Sequence, residues 1–172
     1  MAIAVTLPGT GTPPPSAARA GPCALVRAGG QTFLFDTGRG VSLRLAAAGV
    51  VAPMLTSVLL THLHSDHITD LNDMVTSRWV MSPAPNPLPI FGPVGTEVVV
   101  DAIMAMLAPD ISYRIAHHDD MTQGPQNEVT EVTGGVVHDA GGVRITAAAT
   151  DHRPVEPTLG FRVEHADKVV VI

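Results

Sequence analysis

Thr61-His62-Leu63-His64-Ser65-Asp66-His67 is the stretch on which the reading of this chain turns. Three imidazoles and one carboxylate fall between positions 62 and 67, directly after the apolar run Val58-Leu59-Leu60. In an extended segment residues i and i+2 point the same way, so His62 and His64 can grip one ion. If a helix begins near Asp66, then Asp66 and His67 turn off at its first turn and can face a second. Imidazole and carboxylate together suit Zn2+, and also Mn2+ or Fe2+. The bland alternative is a run of solvated loop histidines. Four ligand types at this spacing, behind a strand-like run, argue against it.

Outward from the loop, Ile3 to Leu7 reads as a strand and Gly9 to Ser16 as a Gly/Thr/Pro turn region. That region lacks the Lys-Ser/Thr of a phosphate-binding loop. Pro22 to Arg27 and Gln31 to Asp36 form an expected hairpin through Gly29-Gly30. Val41 to Ala48 is an expected helix closed by Gly49. Ile68 to Val80 is a second, with Leu71, Met74, Val75 and Trp79 on one face. Ser82 to Pro89 holds four prolines, so it is irregular and a candidate mobile rim of the site. Thr96 to Leu107 is a third helix, with Thr96 as its N-cap. From Glu128 onward the chain reads as strands. His117-His118-Asp119-Asp120 is weighed as a second metal cluster, and a solvated loop is favoured. His138, beside a Gly-Gly turn, is expected to be exposed.

The pattern His62-x-His64-x-Asp66-His67 resembles the signature of the metallo-β-lactamase fold superfamily. Leu7-Pro8-Gly9-Thr10-Gly11-Thr12-Pro13, Phe33-Leu34-Phe35-Asp36-Thr37-Gly38 and Pro89-Ile90-Phe91-Gly92-Pro93 resemble its ribonuclease Z / arylsulfatase-like branch. The resemblance implies an α/β fold, an αββα sandwich, formed by a single domain over residues 1–172. It implies that Asp36 is a buried prop for the histidine loop. It also implies that His152, in Ala149-Thr150-Asp151-His152, completes the first metal site. Asp151 could then support its neighbour. The implied metal set is His62, His64, Asp66, His67 and His152, with two zinc ions in the full family site and Asp66 also orienting the nucleophile. A later bridging Asp and a final His of the family have no counterpart here, so the domain is expected to lack its C-terminal part.

The function implied is a metal-dependent hydrolase using a metal-activated hydroxide on a phosphodiester or sulfate ester. A small-molecule ester is the first expectation. A ribonuclease Z-like role in tRNA 3′ processing is the alternative. Two departures weigh against RNA: Glu164-His165-Ala166-Asp167-Lys168 is a tight turn where an arm is often inserted, and Arg39 stands where a Glu is often found. A truncated, non-catalytic metal-binding or interaction protein is a third possibility, and pairing as a homodimer would suit its unpaired terminal strand.

Composition sets the remaining bounds. Hydrophobic residues make up 45% of the 172, but aromatics only 3%, which predicts a core of Val, Ile, Leu, Ala and Met. The net charge is −6 and no Lys/Arg run interrupts the sequence, against non-specific nucleic-acid binding. The single Cys23 fits a cytoplasmic protein without disulfides. The first residues carry no basic segment of a secretion signal, and no apolar run reaches membrane-spanning length.

Overall fold

Period-two alternation sets the layers. In the computed structural model, which describes residues 2–172, strand β3 (Gln31–Phe35) turns Phe33 and Phe35 to one side and Leu34 to the other. Strands β2 (Cys23–Ala28) and β4 (Ser57–Leu59) flank it and alternate likewise: Val26 and Leu59 share the side of Phe33, while Leu25 and Val58 share that of Leu34. With β1 (Ala4–Gly9), β5 (Leu88–Gly92) and β6 (Asn127–Glu131) they make a six-stranded sheet in sequence order. The β1–β3 strands are antiparallel, whereas β3 to β6 run parallel. A parallel step needs a crossover, and the helices supply it.

Four helices belong to this half: α1 (Val41–Ala47), α2 (Ser65–Ile68), α3 (Leu71–Met81) and α4 (Thr96–His117). Val41 and Leu45, Leu71, Met74 and Val75, and Val100 pack with Leu34, Val58 and Ile90. The opposite face of the sheet meets a second, antiparallel sheet ordered β10-β9-β8-β7. Its strands are β7 (Gly135–Ala140), β8 (Val143–Ala149), β9 (Leu159–His165) and β10 (Lys168–Val171). Ile145, Phe161 and Val163 from this sheet meet Phe33, Phe35 and Leu59. The layers are therefore α, β, β. Among the described residues no helix follows α4, so the outer helical layer of the expected αββα sandwich is not seen.

The core is aliphatic, as the composition predicts, and the aromatics buried in it, Phe33, Phe35 and Phe161, all lie between the two sheets because alternation aims Phe33 and Phe35 at the same space. Several local expectations change. The single helix expected over 68–80 is two pieces, α2 and α3, divided at Thr69-Asp70. The carboxylate of Asp70 does not cap α3. It accepts Gly40 N–H at 2.9 Å and Ser42 N–H at 3.0 Å, clamping the start of α1. Helix α4 runs on through Pro109 to His117; the proline weakens the turn before it, and the pair Asp110–Arg114 at 2.8 Å supports the turn that follows. Its N-cap is Gly95; Thr96 is the first helical residue and donates to Pro93 O instead. The amides of Gly95 and Glu97 are served by Glu131 from β6, at 2.8 and 3.0 Å, a carboxylate at the positive end of the helix. His138 is half-buried, edge-on to Phe33.

On α3 the fourth buried position is Arg78, and Trp79 is only half-buried. Arg78 is accommodated because every nitrogen finds an acceptor: Nη1 donates to Ala52 O and Leu55 O, Nε to Asn86 O and Nη2 to Asn86 Oδ1. Arg78→Met leaves buried carbonyls without donors, so we expect it to lower stability by roughly 2–4 kcal/mol. Urea denaturation midpoints at an unchanged m-value check this. The proline-rich segment that Arg78 holds is not a rim of the histidine loop. It lines a cavity of about 400 Å3 with Trp79 and Gln123, and no imidazole of the metal loop touches that cavity. The segment leads into the N-terminal end of β5, whereas the histidines follow the C-terminal end of β4.

Candidate metal centre

Asp36 is the post on which the loop hangs. It follows β3 with φ of 59°, a left-handed conformation uncommon for any residue but glycine, though Asp tolerates it better than most. Its N–H donates to Leu59 O at 2.9 Å, which fixes it beside the end of β4. Its buried carboxylate accepts Thr61 N–H at 2.8 Å, the Thr61 hydroxyl at 2.9 Å and His67 Nδ1–H at 2.8 Å. One side chain thus grips the loop before and after the ligands. Two residues on, Gly38 leaves room for the backbone of that loop: a Cβ there would lie 2.4 Å from Asp66 O. Gly38→Ala must therefore displace the Asp66 segment. A weaker metal affinity by chelator competition, with the protein still folded by circular dichroism, is the expected result.

Hydrogen bonding also fixes the tautomer of His62. A carboxylate only accepts, so the single proton of the Thr61 hydroxyl goes to Asp36. That hydroxyl lies 2.9 Å from His62 Nδ1 and must accept there. His62 therefore carries its proton on Nδ1 and presents the Nε2 lone pair, the arrangement that a metal ligand needs. The same logic gives His67 a proton on Nδ1, facing Asp36, and leaves Nε2 3.9 Å from Asp66 Oδ2.

The structure brings His62, His64 and His152 together, with their ligand atoms within 4.8 Å of one another. His62 Nε2 and His64 Nδ1 are 3.0 Å apart. Nitrogens bound to one zinc ion at about 2.0–2.1 Å in tetrahedral geometry lie about 3.3 Å apart, so the His62–His64 pair is close to the spacing such an ion needs, and a small inward movement of the most distant imidazole completes it. His152 arrives from the other sheet. The 150–158 loop that carries it is closed by Thr150 N–H to Thr158 O at 3.0 Å, and Leu159 N–H donates to Thr61 O at 2.8 Å. That last bond ties the base of the His152 loop to the residue preceding His62. Buried Asp66 and half-buried His67 form a separate pair of donors beside the three, with the His67 ring 4.0 Å from that of His62. Asp151 is exposed, and its carboxylate lies 2.6 Å from Arg153 Nη2, so it serves that arginine rather than His152. His117 and His118 are exposed at the end of α4 and face each other, away from this group.

Burial first, and then the neighbouring His67, His64 and His152, push the pKa of His62 from 6.5 down to about 4, against a partial pull upward from Asp36. For His67, burial also works downward, but its hydrogen bond to Asp36 and the charges of Asp36 and Asp66 outweigh it and raise its pKa. The two act oppositely on stability. Below 6.5 the unfolded chain takes up a proton that folded His62 refuses, so this contribution falls as pH drops from 6.5 to about 4. His67 stabilises below 6.5 and loses that contribution as pH rises through its raised folded value. In the metal-free chain, His62→Gln should flatten the acid-side decline by up to roughly 3 kcal/mol. Melts against pH in the presence of chelator read it.

Asp70 and Arg78 escape a reading of the sequence. A carboxylate just before a helix looks like that helix's own cap, and an arginine on an apolar helix face has no sequence signal for burial.

A model of the Metallo-beta-lactamase superfamily matches residues 17–151, a span that contains the whole metal loop. This chain belongs to the metallo-beta-lactamase superfamily. It is 59% identical over 171 residues to a protein named ribonuclease Z from Mycobacterium sp. (strain KMS), covering 99% of this chain and 60% of the relative. A ribonuclease Z of Mycolicibacterium gilvum (strain PYR-GCK) is 58% identical over 172 residues, with the same coverage of 99% and 60%. The chain thus spans about three-fifths of the length of these curated relatives. Among solved structures, the metallo-beta-lactamase fold protein YhfI of Bacillus subtilis superposes with a TM-score of 0.72 at 23% identity, over 98% of this chain and 61% of that one. The short form of human tRNase Z gives 0.72 at 24% identity, over 98% and 67%. Both show the superfamily fold. Among the described residues no helix is long and apolar enough to cross a membrane.

Proposed function

We propose that this chain carries the metal-binding half of a phosphodiesterase of the ribonuclease Z kind, acting on RNA. The observation that carries the reading is the three-imidazole set, drawn from both sheets and keyed to Asp36. The names of the mycobacterial relatives support RNA over the small-molecule ester that the sequence alone favours. Zinc suits the donors best, being a tetrahedral ion at home with imidazole.

Bound at this set, a divalent ion supplies Lewis acidity and lowers the pKa of water towards neutrality. The protein does the rest. His62 and His64 hold the ion from one sheet and His152 from the other. Thr61 and Asp36 keep the His62 lone pair aimed inward. Asp66, buried beside the imidazoles, orients the attacking water and takes its proton, and His67 faces it from the Asp36 hydrogen bond.

The β9–β10 hairpin favours a second reading. Lys168 pairs with His165 across a tight turn at Ala166-Asp167, so no arm projects there. A small phosphodiester would need none. One assay separates the two: precursor tRNA against a chromogenic phosphodiester, with Asp66→Ala in both. The RNA reading expects 3′-trailer cleavage that falls by roughly a hundredfold or more in Asp66→Ala. Turnover of the chromogenic ester without tRNA cleavage would sink the RNA reading. Activity that survives Asp66→Ala would remove that residue's role.

A further inference from the structure

The sequence has no basic run, yet the fold assembles a basic cavity. Arg114, Arg144, Arg153, Arg162 and Lys168 each face a carboxylate, and Arg78 is buried on carbonyls. Among the described residues this leaves Arg19, Arg27, Arg39 and Arg44 without an acidic partner. Three of these four, Arg19, Arg39 and Arg44, line one cavity of about 400 Å3 between the 12–21 loop and α1, and no carboxylate lines it. In a chain of net charge −6, that convergence is against the overall balance.

Two of the guanidiniums are set in place. Arg39 Nη1 donates to Pro13 O and Arg44 Nη2 to Ala18 O, both at 3.2 Å. Each keeps its remaining N–H groups free, and a guanidinium has five. Asp70, the acid at the start of α1, is occupied by Gly40 N–H and by Ser42. Unpaired cations in a concave wall raise the local concentration of anions, and the forked guanidinium matches phosphate oxygens. The cavity is joined to the metal loop through the 37–39 segment. Thr37 N–H donates to His67 O at 2.7 Å, Gly38 packs on Asp66 O, and Arg39 follows directly.

We propose that the Arg19/Arg39/Arg44 cavity binds a phosphate group, the one it would take from an RNA substrate being a phosphate other than the one cleaved. This extends the phosphodiester reading of the metal loop and rests on it only for the identity of the substrate. It also gives Arg39, the departure that weighs against RNA in the sequence, a positive role.

The test uses the whole chain with the paired variant Arg39→Gln/Arg44→Gln, and Arg144→Gln on the second sheet as a control. Anisotropy of a short labelled single-stranded RNA is followed across salt, and melting is followed with inorganic phosphate. The expected result is roughly tenfold weaker RNA binding in the pair, with the log–log salt slope reduced by about 0.7 for each phosphate that the variant no longer neutralises, and no change in Arg144→Gln. If phosphate raises the melting temperature of the wild type but not of the pair, while RNA binding is unchanged, the site stands and its ligand is a free phosphate. If neither probe distinguishes the pair from wild type, or Arg144→Gln weakens binding as much, the proposal is overturned. Both readouts are binding, so a failed nuclease assay leaves this result standing, and the reverse holds.

Discussion

Asp36→Ala should lower zinc affinity at the three-histidine set by roughly 10–100-fold and destabilise the metal-free chain by roughly 3 kcal/mol. The second figure follows from what is stranded: Thr61 N–H, the Thr61 hydroxyl and His67 Nδ1–H lose a charged acceptor in a buried place. Alanine is also the poorer residue at φ of 59°. The first figure follows from the freed Thr61 hydroxyl, which no longer has to accept from His62 Nδ1, so the Nε2 lone pair is no longer enforced. Asp36→Asn separates the two effects. Its amide oxygen can still accept Thr61 N–H and its shape is kept, so most of the stability returns. Its NH2 then faces His67 Nδ1 and donates, which moves the His67 proton to Nε2 and blocks the nitrogen beside Asp66. Chelator competition and urea melts measure the pair of quantities. Asp36→Asn should melt near wild type, with the Asp66–His67 pair closed to metal. Equal behaviour of Ala and Asn in both measurements would show that Asp36 acts by bulk alone.

What is legible in the sequence follows from how local each signal is. The His62–His67 loop is short, so backbone periodicity alone places its ligands after a strand, and the structure puts α2 where Asp66 begins to turn. His152 needs the family resemblance, because its partners lie some ninety positions away and spacing carries no information over that distance. The alternation in Phe33-Leu34-Phe35 is equally local, and it places two apolar faces on one strand. Other features depend on contacts made only after folding. Arg78 looks like a solvated residue until the carbonyls of Ala52, Leu55 and Asn86 are brought to it. Asp70 looks like the cap of its own helix until α1 is packed beside it. Arg19, Arg39 and Arg44 are separated along the chain and share a cavity only because the 12–21 loop folds over α1. Composition gives the aliphatic make-up of the core correctly, but not that Phe33, Phe35 and Phe161 converge between the sheets.

His152→Ala should behave in the opposite way to Asp36→Ala. The residue is exposed and its ring makes no hydrogen bond that the fold depends on, so the metal-free chain should melt within about 0.5 kcal/mol of wild type. The effect appears only with metal. His62 and His64 stand on the first sheet and His152 on the second, so an ion held by all three joins the two sheets and stabilises the folded chain against the unfolded one. At a hundred times the dissociation constant that linkage is worth about 2.7 kcal/mol, or about 5–10 °C in melting temperature for a domain of this size. His152→Ala should abolish most of the zinc-induced shift at the same zinc concentration. Elemental analysis after gel filtration should show the retained metal per chain falling in parallel. A shift of wild-type size in His152→Ala would mean that the first-sheet loop holds the ion alone. The Asp66–His67 pair, 4.0 Å from His62 ring to ring, would then be the source of the further ligands, and the substitution to make next would be His67→Ala.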